Sequence, residues 1–332
     1  MFTRRHTLAM GAAALAAPAL AQADPWAALR QRIAEIDRLR GVIVLQNGEE
    51  RVAERANGRG LNSRYNVKSV SKTFVATLLG AAIDRGVIPS VNTTIAQAAP
   101  RLIPAAADPR ARDITMEDLV TLRAGLERTS GGNYGEWISS SNWVSNALAR
   151  PMIAKPGGRM LYSTGSTHIL GAVLAEASGQ SLLTLARRWL GDPLGIEIPA
   201  WTRDPQGYYL GGNEMALTPR AMARFGEMIR QTGAWNGTQV VSEAWITESF
   251  EPRTASRWSG LGYGYGWFLG RTGGTEYALA RGYGGQIICV APSIGLTIVI
   301  VSDPTQPARS GGFFSVLMNL IENEAIPAAK LS

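Results

Sequence analysis

The last seventy residues hold several short apolar runs broken by Gly or Pro: 264–268, 277–280, 286–290 and 296–301. The last two, QIICV and LTIVIV, are rich in β-branched residues, so the four runs read as successive strands. Strands need partners, and the other end of the chain offers them. Gly41–Leu45 and a second extended run near 51–54 are joined through Asn47-Gly48, a strong hairpin signal. Between these ends the pattern turns helical, with candidates at 71–84, 116–123, 142–149, 165–178, 181–190, 218–232 and 242–248. Asp24-Pro25 followed by Trp26, Leu29, Ile33 and Ile36 predicts an amphipathic helix running to about Leu39, and 312–321 predicts another. The expectation is an α+β fold: one antiparallel sheet built from both chain ends, flanked by terminal helices and interrupted by a mostly helical insertion. The sheet part covers about 24–68 and 260–332 and the helical part about 69–259, together a single domain over 24–332.

Composition narrows the chemistry. Among 332 residues there are one cysteine (Cys289) and two histidines (His6 and His168), and only four of the 33 basic residues are lysines. A zinc centre built from His or Cys, or an internal disulfide, cannot be assembled from so few ligands. No metal and no organic cofactor is expected. The +7 net charge is spread singly along the chain, which argues against nucleic acid as a partner. There is no P-loop and no G-x-S-x-G elbow, so a hydrolase here needs a base other than the usual histidine.

Residues 1–23 have a basic start, an apolar stretch from Leu8 to Leu20 and small residues at the end. The stretch is too short and Ala-rich to span a bilayer, so it reads as an export signal cut after Ala21 or Ala23, with no membrane span in the mature chain. Arg4-Arg5 resembles a twin-arginine signal. The expected location is bacterial periplasm or medium.

Asn66–Phe74 precedes an apolar run and should open a helix, which puts Ser69 and Lys72 one turn apart on one face. A serine needs a base to become a nucleophile, and a desolvated lysine is one such base because burial lowers its pKa. The helix N-terminus adds free N–H groups that favour an oxyanion. Taken alone, S-x-x-K is a weak signal. Two further segments strengthen it: Tyr162-Ser163-Thr164 just before a helix, and Arg281-Gly282-Tyr283-Gly284-Gly285-Gln286 running into a strand.

With these three motifs in this order, the chain resembles the serine β-lactamase and penicillin-binding-protein-like superfamily, on its class C, D-aminopeptidase, esterase and 6-aminohexanoate-dimer-hydrolase side. The resemblance extends to Ile114–Leu119 with Ala124-Gly125-Leu126, and to Leu217–Gly226 with Gly233–Gly237. It implies a β-lactamase/transpeptidase-like fold and an acyl-enzyme mechanism, with Ser69 as nucleophile, Lys72 as its proton partner and Tyr162 as general base. The phenol pKa has to fall for that role, which nearby cations would promote. It also implies an oxyanion hole made by the main-chain N–H groups of Ser69 and Gln286.

Two positions depart from the family pattern: Thr164 replaces the asparagine of Y-x-N, and Tyr283 stands where the third motif has Lys or His. Together with Gly284 and Gly285 they are candidate substrate contacts. Losing the cation weakens the case for penicillins and cephalosporins and favours an ester, a linear amide or a peptide-like substrate. Efficient β-lactamase, D-amino-acid peptidase and non-catalytic cell-wall ligand binding are the alternatives. Tyr134, Trp137 and Trp143 either line a pocket or pack the insertion, and Asn213 is a candidate hydrogen-bond partner for substrate. His168 has no acid beside it in sequence and is expected to be a packed or partly exposed helix residue. Cys289 is expected to be a small buried hydrophobe. The sequence leaves the oligomeric state open.

Overall fold

The structure is a computed structural model and describes residues 24–309 and 311–332; the export signal expected at 1–23 lies outside the described residues. Its spine is an eight-stranded antiparallel sheet. Two strands come from the N-terminal part, β1 (Leu39–Gln46) and β2 (Glu49–Glu54). Six follow late in the chain: β3 (Thr254–Ala255), β4 (Gly262–Tyr263), β5 (Phe268–Thr272), β6 (Thr275–Gly282), β7 (Gln286–Ala291) and β8 (Leu296–Ser302). The spatial order is β2-β1-β8-β7-β6-β5-β4-β3, so the chain closes on itself where β1 meets β8, with Val44 opposite Ile298. The β1–β2 turn uses Asn47 and Gly48, both at positive φ (52° and 83°), the backbone that a two-residue hairpin demands.

Four helices matter below: α1 (Ala27–Ala34), α2 (Ser71–Asp84), α3 (Thr164–Ser178) and α4 (Pro219–Arg230). Strand periodicity divides the apolar side chains between two cores. Val42, Val44, Leu279, Ile287, Cys289, Ile298 and Ile300 face α1 and the C-terminal helical segment 313–331. Ile43, Ala280, Ile288, Val290, Val299 and Val301 face the helical insertion, including α2 and α4. Every residue of β7 and β8 is buried, which is why these strands read as continuous apolar runs. Each fully buried Ile or Val contributes about 1.5–3 kcal/mol. A one-residue slip would exchange both faces at once, so the register is firmly specified.

The structure shortens or shifts some expected elements. The first helix ends at Ala34, leaving Leu39 to start β1. Gly264–Trp267 bends rather than running as a strand, with Gly266 at φ +78°, and β5 starts at Phe268. The sheet also reaches back to Thr254, ahead of the boundary expected near 260. No single helix among the described residues is long and apolar enough to cross a membrane.

Candidate active site

A short 3-10 turn, Lys68–Val70, leads straight into α2 and carries Ser69. Lys68 has φ +52°, a left-handed conformation uncommon for a non-glycine residue. Its neighbours hold it there. Asn66 Oδ1 accepts the Lys68 main-chain N–H at 2.9 Å, and Lys68 Nζ bonds Glu214 at 3.0 Å. Asn66 also donates to Glu214, which closes the clasp.

Lys72 is one helical turn on and 3% exposed. Its Nζ donates to Ser69 Oγ at 3.0 Å, to Thr164 Oγ1 at 3.2 Å and to the Gly212 carbonyl at 2.7 Å. Burial in this setting pushes its pKa down to about 7. No carboxylate shares in that contact set; hydroxyl and carbonyl dipoles surround the amine.

Tyr162 lies just before α3, its ring centroid 5.1 Å from Lys72 Nζ and stacked on Phe268. The sequence reading required its phenol pKa to fall. Burial instead raises it and outweighs the opposing pulls of the Ser69 hydrogen bond and the Arg281 charge. The phenol is therefore a proton donor in the resting site.

Thr164 is the first residue of α3, where main-chain N–H groups lack helical partners. The segment at 129–130 supplies them. Ser130 Oγ accepts from Thr164 N at 2.8 Å, and Thr129 Oγ1 accepts from Gly165 N at 2.7 Å. Ser130 Oγ also lies 3.0 Å from Thr164 Oγ1, extending the chain of hydroxyls that begins at Lys72. Ser130 thus joins the site, although no motif in the sequence singled it out.

The end of β6 closes the other side, because β5 stops pairing with it at Leu279. A Cβ on Gly282 would stand 2.3 Å from the Val67 carbonyl, so only glycine allows the nucleophile turn to approach this strand. Gly285 N–H donates to the Gly282 carbonyl at 3.1 Å across the hairpin. In a trans peptide the next N–H points the opposite way, so Tyr283 N–H is directed away from β7, towards the open edge.

Gln286, expected as the second oxyanion donor through its main-chain N–H, opens β7 and pairs with Gly282. Its side chain is fully buried and clasps the Ser302 main chain, donating to the carbonyl at 2.9 Å and accepting from N–H at 3.2 Å. Gly284 and Gly285 form the β6–β7 turn at φ +82° and +98° and back onto Asp303 and Leu317, so they shape the hairpin without lining the cavity.

The resulting cavity has a volume of about 850 Å3, with Ser69, Tyr162 and Thr164 in its lining. Lys68, Arg128, Arg281 and Arg309 also face it, against one acid, Glu214, which Lys68 already pairs. A cation is therefore present where the resemblance implied its loss. Arg281, immediately before Gly282, has a pKa lowered by burial to about 10 and stays charged at neutral pH. Tyr283 stands half-exposed at the rim, and Trp258 lies beneath the Arg128 guanidinium.

Of the aromatic candidates, Tyr134 lines the cavity and its hydroxyl accepts from Asn213 Nδ2 at 3.0 Å. Asn213 lines it too, and its buried Oδ1 has no hydrogen-bond partner among the described residues. Trp137 does not reach it: fully buried, it donates to the Trp143 carbonyl at 2.8 Å and packs the helical insertion. Trp143 is likewise buried there. His168 is fully buried, as expected for a packed residue, but an acid does accompany it. Asp204 Oδ2 lies 3.1 Å from its Nε2. The pair lies outside the cavity lining, so it forms no triad with Ser69.

The comparisons bear on the family and the fold. The sequence profile of the Beta-lactamase family matches residues 28–313. A curated β-lactamase from Pseudomonas fluorescens is 28% identical over 199 residues, 54% of this chain and 52% of its own length, so the chain spans about half of that relative. A penicillin-binding protein homologue from Caulobacter crescentus superposes with a TM-score of 0.74 at 17% identity, covering 92% of this chain and 98% of its own. A D-stereospecific amidohydrolase from a Streptomyces species gives a TM-score of 0.69 at 18% identity, covering 89% and 98%. With a profile that matches most of its length and a fold shared end to end with such proteins, the chain belongs to the Beta-lactamase family.

Proposed function

We propose that the protein is an exported serine hydrolase that works through an acyl-enzyme formed on Ser69. The observation that carries this reading is the buried Lys72 amine 3.0 Å from Ser69 Oγ, with a pKa of about 7 that leaves it half unprotonated at neutral pH. Lys72 takes the serine proton as Oγ attacks the substrate carbonyl. The main-chain N–H groups of Ser69 and Tyr283 hold the oxyanion, with Tyr283 taking the role first given to Gln286. Tyr162 hands its proton to the departing alkoxide or amine and regains one from the Lys72 ammonium. Water then releases the acid by the reverse proton route. Labelling with a fluorescent fluorophosphonate followed by peptide mapping tests this; an adduct on any residue but Ser69 overturns it.

The cavity favours a substrate with a negative charge and an amide N–H. Arg128, Arg281 and Arg309 attract the first, and the unpartnered Asn213 Oδ1 accepts from the second. An ester or amide of a peptide-like acid satisfies both. A p-nitrophenyl ester bearing a carboxylate is expected to exceed its neutral analogue in kcat/KM by roughly tenfold at low salt, with the advantage shrinking as salt rises. Equal values at all salt concentrations would remove the anionic preference. Gly282→Ala is expected to cost about 100-fold in kcat on either ester, because its methyl displaces the nucleophile turn. A thermal melt run beside the kinetics separates this from unfolding.

A further inference from the structure

Gly211 and Gly212 sit between α3 and the amine of Lys72. A Cβ on Gly211 would stand 2.3 Å from the Thr167 carbonyl, and one on Gly212 would stand 3.2 Å from Lys72 Nζ. This bare backbone is what lets the Gly212 carbonyl reach the amine at 2.7 Å. Gly211 N–H in turn donates to His168 Nδ1, a long contact at 3.4 Å. An N–H can only donate, so Nδ1 is the acceptor and the ring proton is on Nε2, facing Asp204 Oδ2 at 3.1 Å. Asp204 is anchored through Oδ1 by the N–H groups of Gln206 and Tyr208, at 2.9 and 2.8 Å. The rings of Trp137 and Trp143, each 5.7 Å from the imidazole, box it in and exclude water.

We infer that His168 is a positioning residue: oriented by Asp204, it seats Gly211–Gly212 on α3 so that the Gly212 carbonyl covers and aims the Lys72 amine. This rests on the Ser69–Lys72 reading above. Packing alone accounts for a buried aromatic ring at 168, but an apolar ring would leave the Gly211 N–H without an acceptor and Asp204 without a partner. The selected tautomer is the functional element. Asp204→Asn keeps the shape but lets the imidazole carry its proton on Nδ1, facing the Gly211 donor and pushing the loop off Lys72. Water then reaches the amine, and its pKa climbs back towards the ordinary lysine value.

The readout is the pH dependence of the rate at which a fluorophosphonate labels Ser69. The charged groups of the site, Arg281 acting on Tyr162 and the Lys68–Glu214 pair, are the same in every variant, and the amine itself is shifted by burial alone. Asp204→Asn is expected to move the acid limb upward by half a unit or more and to slow labelling at pH 7 at least threefold. His168→Asn retains an acceptor for Gly211 N–H and should keep its limb near that of the wild type. His168→Leu, of comparable size but with no acceptor for Gly211 N–H, should shift its limb as Asp204→Asn does; if the leucine variant does not fold, Asp204→Asn decides alone. An unmoved or lowered limb in a folded Asp204→Asn protein overturns the inference while Ser69 labelling still upholds the reading beneath it. Absence of labelling in the wild type overturns that reading instead.

Discussion

Ser69→Ala is expected to reduce ester turnover by more than about 10⁴-fold while leaving the thermal midpoint nearly unchanged. Nothing else in the cavity replaces the lost nucleophile. Of the other serine and threonine hydroxyls on its wall, Ser130 and Thr164 bond each other, and Ser256 accepts the Ser259 main-chain N–H. The removed oxygen is partly exposed and anchors no element of the fold, because the turn is held by Asn66, Lys68 and Glu214 instead. Single-turnover kinetics with a chromogenic ester should show no burst in this variant. A persistent burst, or labelling of the Ser69→Ala protein by fluorophosphonate, would remove Ser69 from the mechanism.

The second large effect belongs to Lys72. Lys72→Met fills the same space without an amine and is expected to cost about 10³–10⁴-fold in kcat/KM. In the wild-type enzyme kcat/KM should rise between pH 6 and 8 with a midpoint near 7. The sign follows from burial, which disfavours the ammonium form; below pH 7 the amine holds its proton and cannot accept that of Ser69, and above pH 7 it is free to do so. Tyr162→Phe should also slow the reaction, but its acid limb should stay near 7, because the Tyr162 phenol is held protonated by its surroundings. A limb that vanishes in Tyr162→Phe and persists in Lys72→Met would reverse the two roles.

Local pattern accounts for much of what was legible beforehand. The α2 bounds are legible because a continuous apolar run, too long for a strand, follows a polar turn. β7 and β8 were legible because burial on both faces keeps charged residues out of them and leaves mostly apolar, β-branched runs. Gly264–Trp267 was misread as strand since its aromatic, β-prone residues are bent by a glycine at positive φ, a tertiary choice that composition does not record. Trp137 was open between pocket and core for a similar reason: an aromatic side chain suits both, and only the neighbours decide.

The site divides along the same line. Ser69, Lys72 and Tyr162 were named from spacing and motif order. Ser130, Arg281 and Asp204 were not, because each reaches its partner through contacts that span 34, 119 and 36 positions or cross the sheet edge. The oxyanion donor shows the limit best. The resemblance names Gln286, whereas the direction of a single peptide plane at Gly282, which turns the N–H of Tyr283 outward and makes it a second candidate, is not written in the motif.

Sequence by itself therefore determined the class of fold and the pairing of Ser69 with Lys72, the candidate nucleophile and base, since that pairing depends on residues one helical turn apart. Tertiary structure alone decided the electrostatics: that Lys72 is dry enough to be a base near neutrality, that the Tyr162 phenol keeps its proton, and that arginines line the cavity. Those properties come from burial and from charges brought together across the chain, and neither exists until the sheet and the insertion have packed.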